Sequence, residues 1–135
     1  MGIFYIDCEI ESIRPPGQKV TVPKLLVDCG SEHTWIPETE LTKIGVQVAK
    51  KDCPFLMANG QPITRSIGYA LLRADGFETV DEVVLAQPGD LALLGSRTLE
   101  GFGAVVDAQK KKLVAAGPYP VATSWMSLND SAKMN

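Results

Sequence analysis

The chain has 135 residues, of which 45% are hydrophobic and 21% charged, and its net charge is -3. That length predicts one domain of ordinary size, and the acidic balance excludes the broad positive field that nucleic-acid binding needs. The single histidine, His33, and the scattered Cys8, Cys29 and Cys53 support neither a zinc finger nor a disulfide framework, so no metal site is expected.

No stretch approaches the roughly 20 apolar residues that cross a bilayer, and the first residues lack the basic start and apolar run of a secretory signal. A cytoplasmic location without membrane contact is the resulting expectation.

The first stretch, Met1 to Ile13, alternates through Phe4, Ile6, Cys8 and Ile10 with the period of a strand, and Arg14-Pro15-Pro16-Gly17 ends it as a turn. A second strand is predicted from Lys19 to Val27, running directly into the polar turn Asp28-Cys29-Gly30-Ser31. Pro37 to Ile44 reads as a short helix with Pro37 in its first turn, Glu38 and Glu40 at its positive end, and Gly45 after it. Phe55 to Tyr69 reads as a hairpin about Asn59-Gly60, two residues that tolerate positive φ.

Ala70 to Arg73 leads into a further hairpin through Ala74-Asp75-Gly76, with Val80 to Leu85 as the return strand and Pro88-Gly89-Asp90 as the next turn. Leu91 to Leu94 is an apolar strand ended by Gly95, after which Ser96 is placed to cap a helix that buries Leu99 and Phe102. Ala104 to Val106 and Lys112 to Ala115 then flank a solvated turn at Lys110-Lys111-Lys112. From Gly117 the composition shifts to proline, serine and asparagine. The predicted organisation is a mainly β domain over residues 1–117 and a tail over 118–135, in which Trp125 and Met126 are candidate anchors.

An aspartate at the end of an apolar strand, with a glycine turn behind it, is held by main chain and presented to a cleft. Asp28 meets that description, and Gly30 allows close backbone approach. The same residue also suits the start of an Asx-type turn with no chemistry. A single carboxylate cannot serve as a pair. Two copies meeting at a two-fold axis would share one proton, leaving one carboxylate able to act as base.

The apolar run into Asp28-Cys29-Gly30-Ser31, together with the later Leu93-Leu94-Gly95 and Gly103-Ala104-Val105-Val106-Asp107, resembles the retropepsin-like aspartic proteases, in particular their single-domain bacterial members. The similarity runs from about Phe4 to Ala115. It implies an acid-protease β barrel, one lobe per chain with one or two short helices, acting as a homodimer on peptide or protein substrates without a cofactor.

By that resemblance Asp28 is the catalytic residue, and Cys29, Gly30 and Ser31 support it. Substrate would be bound by Gly30, Glu32 and a flap hairpin at Ala58-Asn59-Gly60. His33 and Trp35 are candidates for a subsite wall, although the large area of Trp35 suits a core or interface position better, and Arg97 is a candidate for an ion pair with Glu32. Residues Met1 to Ile6 and Tyr119 to Val121 are candidate dimer strands. The chain departs from the family at Cys29. There the family carries threonine or serine, whose hydroxyl bonds across the axis and holds the aspartates coplanar, whereas a thiol is a weak donor. Three readings follow: an aspartic endopeptidase, a catalytically silent peptide-binding or dimerisation module of the same fold, and a small β barrel that binds an unrelated ligand with Asp28 structural.

Overall fold

The computed structural model describes residues 3–119. The tail from 120 onward, with Trp125 and Met126 and most of the predicted closing strand, lies outside the described residues, as do residues 1 and 2.

The chain forms β1 (Tyr5–Ser12), β2 (Lys19–Val27), β3 (Thr34–Pro37), α1 (Glu38–Lys43), β4 (Lys50–Leu56), β5 (Pro62–Ala74), β6 (Phe77–Ala86), β7 (Leu93–Leu94), α2 (Ser96–Phe102), β8 (Ala104–Asp107) and β9 (Lys112–Ala115). Seven of the strands make one mixed sheet in the order β1-β2-β7-β3-β6-β5-β4, and β8 and β9 pair separately around the lysine turn. β1 also pairs with β5, Glu9 to Ser12 opposite Arg73 to Ala70, so the sheet bends back on itself.

The expected barrel is corrected by this topology, which is a mixed seven-stranded sheet and not a closed barrel. The continuous wall fails at β7, only two residues long, where the ladder to β3 thins to the single pair Trp35 and Leu93. β4 lies beyond the bend, beside β5 alone. A strand that short contributes too few backbone hydrogen bonds to close a cylinder.

β5 organises the sheet. It is 13 residues long and belongs to two hairpins, so the boundary expected between Tyr69 and Ala70 does not exist. Its first half pairs with β4, and from Ile67 to Ala74 it pairs with β6. At the β5–β6 turn Asp75 and Gly76 have φ of 53° and 83°, the double positive φ of a two-residue type I′ loop. At Asn59-Gly60 only Gly60 has positive φ, 86°. There the Gly60 N–H donates to the Met57 carbonyl and the Gln61 N–H to Asn59 Oδ1, which makes a three-residue loop over Ala58, Asn59 and Gly60.

The core lies between the curved sheet and the helices. In β1 the inward positions are Cys8, Ile10 and Ser12, and in β3 they are Thr34 and Ile36. Leu25, Leu41, Leu72, Val83 and Leu94 fill the centre. Burial pushes the Cys8 thiol up to about 12, so it stays protonated and packs as a small apolar group. α2 buries Leu99 and Phe102 as expected, and the Phe102 ring stacks on Phe77 with centroids 6.1 Å apart. Two cap assignments are corrected. Pro37 is the N-cap of α1 rather than a first-turn residue, and Gly95, not Ser96, is the N-cap of α2, with no side-chain cap bond in either helix.

Leu72 is fully buried in β5, whereas Val80 opposite Leu71 in β6 is 58% exposed. Leu72→Ala should lower unfolding free energy by about 2–5 kcal/mol, and Val80→Ala should change it by less than about 0.5 kcal/mol, as measured by urea denaturation.

Candidate functional site

A cleft of about 720 Å³ opens between the loop after β2, the β4–β5 hairpin and the segment that leads into β7. Asp28, Gly30, Ser31 and Glu32 line it from the first side, Phe55 to Ala58 from the second, and Asp90, Leu91 and Leu93 from the third. The chain therefore brings together most of the residues singled out from sequence. Asp28, Gly30, Ser31, Glu32 and Ala58 all face this space. Cys29, Asn59 and Gly60 do not: Cys29 is exposed outside the lining, and Asn59 and Gly60 form the exposed hairpin tip.

The Asp28 loop is set by backbone. Leu26 and Val27 run parallel to Leu93 and Leu94, and beyond this pairing the Asp28 N–H donates to the Leu94 carbonyl at 3.0 Å. Asp28 Oδ1 accepts the Gly30 N–H at 2.9 Å, so the Asx-type turn is present and orients the half-buried carboxylate. The first N–H groups of α2 then donate back to the loop, Ser96 to the Ser31 carbonyl at 2.7 Å and Arg97 to the Glu32 carbonyl at 3.0 Å. These contacts satisfy helix-end donors that no side chain caps. A Cβ at Gly95 would collide with the His33 and Glu32 carbonyls, and only glycine allows the two segments to approach this closely.

The strand alternation of β3 turns Thr34 and Ile36 to the core and leaves Trp35 half-buried on the cleft side. Its ring meets Phe55 edge-on at 5.3 Å, and Phe55 meets His33 at 5.4 Å with the rings perpendicular. These rings join the Asp28 side of the cleft to the base of the β4–β5 hairpin. Phe55 therefore bridges two walls, which a single aromatic in an alternating strand does not disclose.

Two ionic centres stiffen the walls. Arg65 in β5 makes a bidentate pair with Asp90, both bonds 2.7 Å, and Asp90 Oδ2 also accepts the Gln87 N–H at 2.8 Å. The guanidinium holds the Asp90 carboxyl below its ordinary value. The second centre is Glu82, which pairs with Lys50 of β4 and with Arg97 at 3.2 Å, and has His33 Nε2 at 3.6 Å. The Lys50 ammonium, assisted by the Arg97 guanidinium, holds the Glu82 carboxyl below the usual range. The expected pairing of Arg97 with Glu32 is thereby corrected: Arg97 donates to Glu82 and to His33 Nε2, and reaches Glu32 only through main chain.

Among the described residues there is no group of three or more His, Cys, Asp or Glu side chains placed to hold a metal ion, and no helix long and apolar enough to cross a membrane. No protein-family model and no curated protein matches this chain.

Because the folded carboxyl of Asp90 titrates below its ordinary 3.8, its bond to Arg65 stabilises the fold above that pH and is lost as pH falls through the lower folded value. Asp90→Asn should therefore be less stable than wild type at pH 6, and the difference should shrink as pH drops below about 4, as read from denaturant midpoints over pH 2 to 6.

Proposed function

We propose that the chain is an aspartic endopeptidase of the retropepsin-like family that works as a homodimer, with Asp28 of each copy forming the catalytic pair. The observation that carries this reading is the Asp28 carboxylate, oriented by the Gly30 N–H in a strand-end loop and facing a cleft of about 720 Å³ under a hairpin. Of the other carboxylates lining that cleft, Asp90 is engaged by Arg65 and the Gln87 amide, and Glu32 is exposed. In this reading the second catalytic carboxylate is Asp28 of a second copy.

In the proposed reaction an extended peptide lies between the Asp28 loop and the hairpin. The ionised Asp28 takes a proton from water as the water oxygen attacks the scissile carbonyl carbon, and the protonated Asp28 of the partner hydrogen-bonds the developing oxyanion. As the C–N bond breaks, the amine nitrogen receives a proton, and a carboxylic acid and an amine result. Water is the only co-reactant. With two like carboxylates sharing a proton, the pair titrates as a unit.

A second reading, a silent peptide-binding or dimerisation module, is favoured by one observation. Cys29 stands exposed beside Asp28 where the resemblance calls for a hydroxyl, and a thiol donates weakly.

A diverse peptide library incubated with the purified chain from pH 3 to 7 tests both. The expected result is cleavage by a dimer, as sized by sedimentation, with loss of about 100-fold or more in Asp28→Asn. A folded dimer that cleaves nothing but gains activity as Cys29→Thr would favour the silent module. A folded monomer without activity would sink the peptidase reading.

A further inference from the structure

The peptide group between Leu94 and Gly95 is held at both of its polar ends. Its carbonyl accepts the Asp28 N–H at 3.0 Å, and its N–H donates to Thr34 Oγ1 at 2.9 Å. Thr34 Oγ1 lies 2.6 Å from Thr98 Oγ1, which lies 2.9 Å from Asp81 Oδ2. Chemistry fixes the direction of this chain. A carboxylate only accepts, so the Thr98 proton goes to Asp81, and the Thr34 proton must then go to Thr98. The other oxygen of Asp81 accepts the Glu82 N–H at 2.7 Å, so the terminal acceptor is itself fixed on β6.

Both threonines have no exposed surface, and they come from elements 64 residues apart in sequence. Burying two hydroxyls gains nothing in packing over valine, which has nearly the same shape, so what the hydroxyls add is direction. Donors and acceptors linked in series polarise one another, and a hydroxyl that donates toward a carboxylate is a better acceptor for the Gly95 N–H. Tilting the Leu94–Gly95 peptide plane would break the bond to Thr34 and the bond to Asp28 together.

We propose that Thr34, Thr98 and Asp81 are positioning residues for Asp28, fixing the Leu94–Gly95 peptide plane and through it the backbone from which the carboxylate projects. The inference rests on the peptidase reading for its catalytic consequence, but the positioning of the loop can be measured without turnover. None of the three side chains lines the cleft, so they act on the reaction only through the backbone they hold.

The test compares wild type, Thr98→Val and Thr98→Ser by amide hydrogen exchange and by steady-state kinetics on a peptide taken from the library. Thr98→Val should speed exchange of the Asp28 and Gly95 amides about tenfold or more while leaving Leu71 and Thr79 in the β5–β6 ladder unchanged. It should lower kcat about tenfold or more with KM within about twofold, and Thr98→Ser should restore both. Asp81→Ala, which removes the half-buried terminal acceptor, carries the same expectation if Thr98→Val does not fold. Unchanged exchange at Asp28 and Gly95 would overturn the proposal, as would a loss that spreads through the ladder and is not rescued by serine. If wild type cleaves no peptide, the peptidase reading fails, and the exchange comparison alone still decides whether these residues position the loop.

Discussion

Everything near the cleft depends on the close backbone contact between residues 28–33 and residues 94–97. Side chains cannot make this contact, because the segments meet where even a Cβ on Gly95 would collide with the His33 carbonyl. Once they meet, three main-chain bonds, from Asp28 to Leu94, Ser96 to Ser31 and Arg97 to Glu32, turn a strand end and a helix start into one rigid corner. The corner dispenses with a side-chain cap on α2, gives the Asp28 loop a fixed floor, and puts Trp35 opposite Phe55. A loop that orients a carboxylate gains more from such a frame than from packing, since main-chain bonds set direction as well as distance.

Around that corner, charge is arranged to hold the walls and not to fill the opening. Arg65 and Asp90 tie the long strand β5 to the loop before β7, while Lys50, Glu82 and Arg97 tie β4, β6 and α2. Farther away, Arg73 does the same for β1, β5 and β6 by bonding Glu9, Glu11 and Glu78. Each cation is met by a carboxylate from another segment of the chain, so part of the acidic charge is spent on internal ties. Leu56, Met57 and Leu91 add exposed apolar surface to a lining that also carries Asp28, Glu32 and Asp90.

Local chemistry was legible in the sequence wherever one signal dominated. The span of β2, the burial of Leu99 and Phe102, the Asp75-Gly76 hairpin and the lysine turn follow from alternation, helical spacing and turn residues within a few positions. Asp28, Gly30, Ser31, Glu32 and Ala58 also line one cleft, a grouping expected from the family resemblance and not from any local signal. What was illegible depends on partners remote in sequence. β3 is four residues with no clear period, and it exists because β6 runs alongside it. The open topology turns on β7 being cut to two residues, though Leu91 and Ala92 look equally strand-forming. Arg97 chooses Glu82 over Glu32 because β6 delivers that carboxylate, and Thr34 and Thr98 look like ordinary small residues until they are seen to face each other.

The double membership of β5 also bears on the order in which the molecule assembles. Its turns to β4 and β6 close loops of a few residues, so the β4-β5-β6 meander can form from contacts local in the chain. The β2–β7 ladder and the Thr34–Thr98 bond instead join regions 64 or more residues apart, and closing so long a loop costs entropy before any contact repays it. The corner thus carries the larger entropic cost of closure, whereas the hairpin that overhangs the Asp28 loop needs only contacts local in the chain.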